Sequence, residues 1–391
     1  MKEIISSVMD NVITWRRDLH QIPEIGNDLP KTSEYVCKQL DNMGVSYKKG
    51  VGLEHAIVAT IEGTKKGGGK TLALRADMDA LPIVEETSLP FASKNGKMHG
   101  CGHDAHTAIL LGTIKVLNQM RDKFSGKVVF LFQPGEELSA GAEPMVKAGC
   151  LDGVDAIIGL HVGNIAGEGT PGVAYLKMGS LMACLDKWSM TVTGIGSHGA
   201  YPQNSHDPVV MQAHIITAIQ EIISREMNPV DPGVVTVGIV NGGSTYNVIP
   251  GSVYLEGTAR AVSQKTREYI AKRIGEIAES VAKAFRGSID YNYTFGAPPV
   301  VNNDEITAKV LESSKKALGE ENVQLMTNPV MGGEDFAYYL EKVPGTFIFL
   351  STPLDVNGVY YPHHNSKFAI NEQYFDRGIA IFVQSALDFL S

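Results

Sequence analysis

The chain has 391 residues, more than a single hydrophobic core usually organises, so we expect two domains. Hydrophobic residues make up 43% and charged residues 20%, the composition of a soluble globular protein. The formal net charge of −9 argues against a nucleic-acid-binding surface, which needs clustered Lys and Arg. We therefore expect no nucleic-acid partner.

The amino-terminal segment is predicted to be an ordinary helix. Apolar residues repeat at helical spacing over residues 4–15, which predicts an amphipathic helix and no signal peptide. No apolar run approaches the ~20 residues that span a bilayer, so no membrane association is expected. The four cysteines are sparse and scattered, as is typical of a reducing compartment. We predict a cytoplasmic protein.

The first elements are two helices followed by two strands. Helices are predicted over residues 1–20 and 30–44, and apolar runs predict strands over 55–63 and 70–81. The Gly- and Lys-rich segment between the strands is interpreted as a hairpin turn. It resembles a phosphate-binding loop, but Gly63 and Gly69 have five residues between them where that loop has four, and a strand follows.

Two further strands are continuously apolar. They cover residues 127–137 and 155–163, and they follow a glycine-rich loop over 96–106 and a helix predicted over 107–120. Continuous apolar strands separated by helices indicate a sheet buried on both faces. Ligands of such sheets bind beyond the carboxyl ends of the strands. Side chains with metal-binding or acid–base chemistry stand at these ends: Asp77, Asp79, Glu136, Glu137 and His161.

Residues 186–296 differ from the rest of the chain in the order of their predicted strands and helices. Their order is strand, helix, two strands, helix and strand, which is typical of a ferredoxin-like sandwich. The earlier α/β pattern resumes afterwards. We predict an α/β domain with a mixed sheet, formed by residues 1–185 and 297–391, and an inserted ferredoxin-like α+β domain over 186–296.

The strongest chemical signal is the segment His-Gly-Cys-Gly-His-Asp-Ala-His over residues 99–106. Glycines between potential ligands let the backbone fold tightly and present several side chains to one point. Thiolate and imidazole are good ligands for zinc and similar ions. The structural alternative is a loop with a buried cysteine and with Asp104 capping the next helix. Three histidines and a cysteine within eight positions favour the metal site.

The paired glutamates Glu136 and Glu137 follow a buried strand. Adjacent side chains point in different directions, so one carboxylate can bind a metal while the other faces a bound water. The alternative is a solvated turn or a helix start, where acids favour the macrodipole. Asp77 and Asp79 alternate at a strand end and can face the same side, with an ion pair to Arg75 as the alternative.

Isolated histidines are weaker signals. His161 ends an apolar strand and, taken alone, is better interpreted as a satisfied core histidine. His363 and His364 lie in a segment that also reads as an ordinary surface loop.

Six short segments occur in the order of a known family. They are RADMDALP, HGCGHDAHTA, FQPGEE, GLHV, SHGAYP and PHHNSKF. This series resembles the aminoacylase/carboxypeptidase-type di-metal amidohydrolases, and within them the branch of N-acyl-amino-acid amidohydrolases, hippurate hydrolases and auxin-conjugate hydrolases. The resemblance implies a di-metal catalytic domain with an inserted lid that forms a homodimer. It also implies a small N-acyl amino acid or peptide-like substrate.

The resemblance further implies a set of ligands for two divalent ions: Cys101, His103, Glu137, His161 and His364. His364 is preferred over His363 because the family's ligand stands immediately before an Asn/His-Pro-x-Phe stretch. Ser366 replaces the usual Pro here, which leaves His363 open. These ligand types admit Zn, Mn, Co or Ni.

The remaining roles also follow from the resemblance. Glu136 matches the general base, and Asp79 matches an acid that orients a ligand. In the lid, His198 matches a histidine that contacts the reacting carbonyl, often across the dimer. Asn247 and Arg260 match positions associated with the substrate carboxylate, and an ion pair within the lid is the alternative for Arg260.

The sequence therefore predicts a metal-dependent amidohydrolase that cleaves N-acyl amino acids or related conjugates with a metal-activated water. One alternative is a dipeptidase or carboxypeptidase on the same site. Another is a binding protein that kept the fold and lost activity, which would show a broken ligand set or a missing base. A metal-independent serine hydrolase would need a Gly-x-Ser-x-Gly elbow, which the sequence lacks.

Overall fold

The computed structural model describes residues 1–165 and 169–391. Its helices, in chain order, are α1 Lys2–His20, α2 Pro30–Asn42, α3 His103–Gln119, α4 Ala142–Lys147, α5 Pro208–Ile219, α6 Gln264–Ala284, α7 Asp304–Leu318, α8 Ala337–Lys342 and α9 Phe375–Phe389. Its strands are β1 Ser46–Lys49, β2 Ile57–Glu62, β3 Thr71–Asp77, β4 Lys127–Gln133, β5 Ala156–Gly163, β6 Ala174–Leu176, β7 Gly179–Met182, β8 Asp186–Thr193, β9 Ser197–His198, β10 Gly233–Gly242, β11 Val248–Ile249, β12 Ser252–Ala261, β13 Ser288–Thr294, β14 Val300–Asn302, β15 Val323–Leu325, β16 Gly345–Ser351, β17 Asp355–Val356 and β18 Val359–Tyr360.

The chain folds into two compact units. The first unit contains Met1–Leu181, Val301–Val330 and Asp335–Ser391. The second unit contains Met182–Val300 and Met331–Glu334. The chain thus leaves the first unit twice, for the long segment that builds most of the second unit and again for the short segment Met331–Glu334.

The first unit is built on a mixed sheet, which in the described part of the chain has eight strands in the order β1-β2-β4-β3-β5-β16-β6-β15. The four central strands, β4, β3, β5 and β16, are parallel to one another. These strands are buried almost throughout, as the continuous apolar runs predict. Parallel strands end at the same edge, so the segments that follow β3, β4 and β5 meet there.

The predicted hairpin between β2 and β3 is wrong. Strand β4 lies between them, antiparallel to β2 and parallel to β3. The Gly- and Lys-rich segment therefore crosses two strand spacings, about 10 Å in all, and is no tight turn. Local turn chemistry does not reveal that a strand more than fifty residues further along the chain inserts between two sequence neighbours.

Helices α1, α3 and α9 pack together within the first unit, and the core runs through them and the sheet. Helix α3 is buried on nearly every face, which explains why its sequence lacks a clear polar stripe. It begins at His103, so part of the predicted glycine-rich loop over 96–106 forms the first turn of a buried helix.

The second unit is the predicted ferredoxin-like sandwich. Its elements follow the order β8, α5, β10, β12, α6 and β13, and the antiparallel sheet has the strand order β10-β12-β8-β13. Counted within the unit this order is 2-3-1-4, so the first strand lies next to the last. Helices α5 and α6 cover one face, around a separate core that includes Trp188, Ile215 and Ile274.

Among the described residues, the structure contains no helix that is both long enough and apolar enough to cross a membrane.

Candidate metal centre

The site lies at the carboxyl edge of the central sheet in the first unit. Asp77 at the end of β3 pairs in register with Gln133 at the end of β4, and His161 stands near the end of the parallel strand β5. The segments that continue from β3 and β4 carry Asp79 and Glu136.

Cys101 and His103 enter this edge from the start of α3. Gly102 between them has a φ of 94°, a left-handed conformation that glycine adopts without strain. A Cβ atom at Gly102 would stand 2.9 Å from Val162 Cγ2, so the turn also lies tightly against β5. This turn directs the thiol and the imidazole of its two neighbours into the same space.

The predicted ligands of the first unit converge in overlapping groups. In each group the potential ligand atoms lie within 4.8 Å of one another. Cys101 Sγ lies 3.4 Å from His161 Nε2, and His364 Nε2 lies 3.4 Å from Glu137 Oε2. The groups are Cys101 with His103 and His161, Cys101 with Glu137 and His364, and His103 with Glu136 and Glu137.

The chemistry of these donors fits divalent metal ions. Neither ring nitrogen of His103 makes a hydrogen bond to a described residue, and the same holds for Glu137 Oε1, although all three atoms are buried. Buried polar atoms without partners are costly, and a cation would satisfy them. His161 Nδ1 donates to its neighbour's carbonyl, Val162 O, at 2.7 Å, which leaves Nε2 with a lone pair for a metal.

The electrostatics of the site also favour a cation. Burial and nearby Asp79 raise the pKa of Glu137, and burial together with Glu137 raises the pKa of the Cys101 thiol well above its usual range. Burial opposes the charge on His103, yet Asp77 and Asp79 outweigh it and raise its pKa. All three shifts favour the more protonated form, as expected where carboxylates crowd a buried space.

Asp79 holds the backbone of both glutamates and lies beside His103. Its two carboxylate oxygens accept hydrogen bonds from the backbone amides of Glu136, at 3.0 Å, and Glu137, at 3.1 Å. Oδ1 of the same carboxylate lies 3.4 Å from Nδ1 of His103. The contacts of Asp79 thus match those of a residue that orients its neighbours.

His106 and Asp77 serve mainly as supports. His106 Nδ1 lies 2.6 Å from Asp77 Oδ1, and its Nε2 accepts the backbone amide of Val162 at 2.8 Å. Both ring nitrogens are therefore engaged, although the sequence alone admits His106 as a ligand. The second oxygen of Asp77 accepts from Arg75 at 2.7 Å, which is the ion pair considered from the sequence.

The two histidines after β18 take different positions. His363 Nε2 accepts the backbone amide of Asn164 at 3.1 Å, and its Nδ1 lies 3.7 Å from Cys101 Sγ. His364 is more exposed and has a φ of 66°, unusual for a residue other than glycine. Its amide donates to Gly100 O at 2.9 Å, which helps to hold this conformation.

The remaining candidates belong to the second unit. His198 in β9 pairs with Val248 in β11, and Asn247 O accepts from the amide of Gly199, so His198 and Asn247 lie close together. Arg260 in β12 donates to Cys184 O at 3.3 Å and is only partly buried. In the described contacts Arg260 has a carbonyl partner and no carboxylate partner, which argues against the lid ion pair.

One buried carboxylate near the site was not among the sequence candidates. Asp335 is fully buried and accepts from Arg75 and Gln133. The only local signal is its place in the stretch Gly-Gly-Glu-Asp-Phe, where glycines precede an acidic pair.

Comparison with known proteins agrees with this geometry. Residues 73–388 match the profile of Peptidase family M20/M25/M40. N-acetyl-L-cysteine deacetylase of Bacillus subtilis (strain 168) is 40% identical over 370 residues, which cover 94% of this chain and 85% of the relative. Thermostable carboxypeptidase 1 of Saccharolobus solfataricus is 36% identical over 393 residues, covering 100% of this chain and 98% of the relative.

A solved structure shares the fold over nearly its whole length. It is a dinuclear metal-binding peptidase of the M20 family from Bacillus subtilis, with a TM-score of 0.84 and 32% identity, covering 98% of this chain and 99% of that one. The profile match covers most of the chain, and these relatives are hydrolases. The chain is therefore a hydrolase that belongs to Peptidase family M20/M25/M40.

Proposed function

We propose that this protein is a metal-dependent amidohydrolase that removes the acyl group from N-acyl amino acids or closely related small conjugates. The observation that carries the proposal is the convergence of a thiol, imidazoles and a carboxylate on one buried point, with a second carboxylate beside it. The similarity to a deacetylase of an N-acylated amino acid supports this substrate class.

Two divalent ions are the proposed cofactors. Cys101, His103, Glu137, His161 and His364 would hold them, with His364 preferred to His363 because its Nε2 stands beside Glu137. When bound, such ions act as Lewis acids and lower the pKa of a water molecule toward ~7. Zn, Mn, Co and Ni all suit these donors.

Glu136 is the proposed general base. Its side chain is only slightly exposed and lies in the same group of donor atoms as His103 and Glu137. Its carboxylate would take a proton from the attacking water and return it to the nitrogen of the leaving amine. Asp79 would keep that carboxylate in place through the amides of Glu136 and Glu137.

His198 is the proposed donor to the reacting carbonyl oxygen. Its Nδ1 accepts the backbone amide of Ala200 at 3.1 Å, so in the neutral ring Nε2 carries the proton. The ring is exposed and can present this N–H to a substrate. A donor of this kind stabilises the negative charge that develops on the oxygen.

Asn247 and Arg260 are the proposed contacts of the substrate carboxylate. Arg260 offers a planar guanidinium, which suits a carboxylate through two parallel hydrogen bonds. Asn247 lies beside His198, so the proposed carbonyl donor and one of the two proposed carboxylate contacts are neighbours.

We further propose that the second unit is a lid that joins two copies into a homodimer through β10 and α5. Strand β10 is an edge of its sheet, with Ile239 46% and Val240 53% exposed. Neither β10 nor α5 contains a charged residue. An uncharged, apolar edge strand readily pairs with a second copy of itself.

A cytoplasmic location is also proposed. All four cysteines are free in the structure, which fits a reducing compartment.

The test is hydrolysis of a panel of N-acetyl and N-benzoyl amino acids and of dipeptides. The enzyme is stripped with chelator and reloaded separately with Mn, Zn, Co or Ni. We expect metal-restored cleavage of the acylated amino acids. Glu136→Gln should lower kcat by roughly 10²- to 10⁴-fold, because it removes the general base. Its metal content should stay that of the parent.

The alternatives give different results. Cleavage of dipeptides alone would assign the site to a peptidase, an activity class named for a relative. No turnover with any metal would support a binding protein.

A further inference from the structure

We propose that Asp335 is a positioning residue that closes the loop over residues 134–142, which carries Glu136 and Glu137. The inference rests on the proposed function, since it assigns this loop the general base and a ligand. Asp335 lies close to the Glu136 side chain, with carboxylate oxygens of the two residues within 4.8 Å of each other, and its hydrogen bonds go to the backbone of the same loop. It acts on the backbone on which Glu136 stands.

The contacts of Asp335 fall on both ends of this loop. Its Oδ2 accepts from Nε2 of Gln133 at 2.8 Å, directly before the loop begins. The same oxygen accepts from the backbone amides of Gly141 at 3.2 Å and Ala142 at 2.9 Å, where the loop ends and α4 starts. One carboxylate oxygen thus joins the two ends.

The loop itself is short and closely packed. The amide of Ala140 donates to Gly135 O at 3.0 Å, and the amide of Ser139 donates to Glu136 O at 2.7 Å. A Cβ atom at Gly141 would stand 1.8 Å from Pro134 O, so the two ends touch. A change at Asp335 therefore acts within a few residues of Glu136.

The negative charge of Asp335 is matched by Arg75. Arg75 Nη2 donates to Asp335 Oδ1 at 3.0 Å, and Arg75 Nε donates to Gln133 Oε1 at 2.8 Å. Both Arg75 and Asp335 are almost completely buried. Every hydrogen bond described here at the Asp335 carboxylate comes from an N–H donor, so both of its oxygens act as acceptors.

Asparagine at this position has nearly the same shape but only one acceptor. Its NH₂ group would face either Arg75 or the amides of Gly141 and Ala142, which are themselves donors. The oxygen is expected to stay on the charged Arg75, whose hydrogen bond is the stronger, so the NH₂ group faces Gly141 and Ala142 and that end of the loop is released. Displacement of a catalytic group by about 1 Å can cost roughly 100-fold in rate.

The experiment compares Asp335→Asn with the parent protein. We expect kcat on an N-acetyl amino acid to fall by roughly 30- to 100-fold, with KM and bound metal per subunit unchanged. Hydrogen exchange of the segment over 134–142 should become about tenfold faster or more, because Gly141 and Ala142 lose their acceptor. Exchange is measured with and without metal, so this readout does not depend on activity.

A matched control is Asp155→Asn. Asp155 Oδ2 accepts the backbone amide of Thr71 at 2.7 Å, at the opposite end of β3. This variant also removes a carboxylate that accepts a backbone amide, but at a position outside the loop over residues 134–142. We expect the kcat of this variant and the exchange over 134–142 to equal those of the parent.

The outcomes separate the inference from the proposed function. Unchanged exchange over 134–142 in Asp335→Asn, or a loss of kcat no larger than in Asp155→Asn, overturns the positioning role. Loss of bound metal in proportion to the loss of activity overturns it too, because Asp335 would then support the ligands. If the parent hydrolyses none of the substrates, the proposed function fails, and exchange alone decides the role of Asp335.

A second variant tests the inference if Asp335→Asn does not fold. Gln133→Met keeps the length of the side chain and removes the amide that links Arg75 to Asp335. The same loosening of residues 134–142 and the same selective fall in kcat are expected. A normal exchange pattern in this variant would contradict the inference.

Discussion

At the residue scale, buried carboxylates near the site act chiefly on backbone amides. Asp79 accepts two amides from the start of the glutamate pair, and Asp335 accepts two from the end of the same loop. Acceptor-only carboxylates suit clusters of N–H donors, which hydroxyl or amide side chains satisfy less completely. The loop that carries Glu136 is thereby held from both sides.

Asp79→Asn tests the first of these supports. Its NH₂ group would replace one acceptor oxygen and face the backbone amide of Glu136 or Glu137, which is itself a donor. We expect metal affinity to fall by roughly 10- to 100-fold and kcat to fall as well, since one of the two glutamates loses its acceptor. Metal titration followed by kinetics at saturating metal separates the two effects. Parent-like values in both would show that Asp79 does not orient the site.

A second buried cluster surrounds His20 in α1. Its Nδ1 lies 2.7 Å from Asp104 Oδ2 and its Nε2 lies 3.2 Å from Glu85 Oε1. Both nitrogens must carry protons to bond two carboxylates, so the ring is an imidazolium. Burial and Arg16 oppose this charge, but Asp104 and Glu85 outweigh them and raise the pKa of His20.

This raised pKa predicts a pH-dependent contribution to stability. The contribution is complete below the pKa of an unfolded histidine, about 6.5, and is lost as pH rises through the higher folded pKa. We expect His20→Gln to lower the free energy of unfolding by roughly 3 kcal/mol at pH about 5.5, and by less at pH about 9.

Urea unfolding of the metal-free protein at several pH values measures this difference. His214→Gln, which changes an exposed histidine in the second unit, is measured alongside as a control. A constant difference between parent and His20→Gln across this range would contradict the imidazolium assignment.

At the element scale, sequence patterns identify most of the elements but few of their neighbours. The periodicities predict α1, the strand–helix order of the second unit and the buried central strands, because each depends on local spacing. Strand β1 goes unpredicted because it has four largely exposed residues. The position of β4 between β2 and β3 depends on contacts distant in sequence.

The edge strand β10 is the proposed contact between the two copies of the homodimer. Ile239→Glu places a charge on the uncharged edge, and like charges facing each other across a two-fold axis repel. We expect the parent to be a dimer and the variant a monomer, measured by light scattering after size exclusion.

Thr294→Glu adds the same charge to β13, at the opposite edge of the sheet, and should remain a dimer. A monomeric parent would refute the proposed homodimer, and a dimeric Ile239→Glu would move the interface elsewhere.

At the scale of the whole molecule, the two units have separate hydrophobic cores. The proposed metal ligands all belong to the first unit, whereas His198, Asn247 and Arg260 belong to the second. Metal binding should therefore stabilise one core directly.

Calorimetry with and without metal tests this separation. We expect two unfolding transitions, of which only that of the first unit rises on metal loading. The gain should be about 2.7 kcal/mol when free metal exceeds its dissociation constant roughly 100-fold. The Asp79→Asn variant should need a higher metal concentration for the same stabilisation of the first unit. A metal shift confined to the second unit's transition would contradict the proposed ligand set.

Local sequence patterns predict the fold class and the inserted ferredoxin-like unit, which the structure confirms, and they also predict a metal site. These depend on signals that are local in the chain: the apolar period, the glycines around Cys101 and His103, and acids directly after buried strands. Local spacing sets both backbone conformation and side-chain direction, so such signals survive without knowledge of the rest of the molecule.

The hydrogen-bond partners of the residues around the site become visible only in the folded chain. In the structure both ring nitrogens of His106 have hydrogen-bond partners, and His364 lies beside Glu137. Asp335 accepts hydrogen bonds at the ends of the loop over residues 134–142. The partners of Asp335 are up to 260 residues away in sequence, and no local pattern encodes contacts at that distance. Burial and hydrogen-bond geometry between distant segments exist only once the chain has folded.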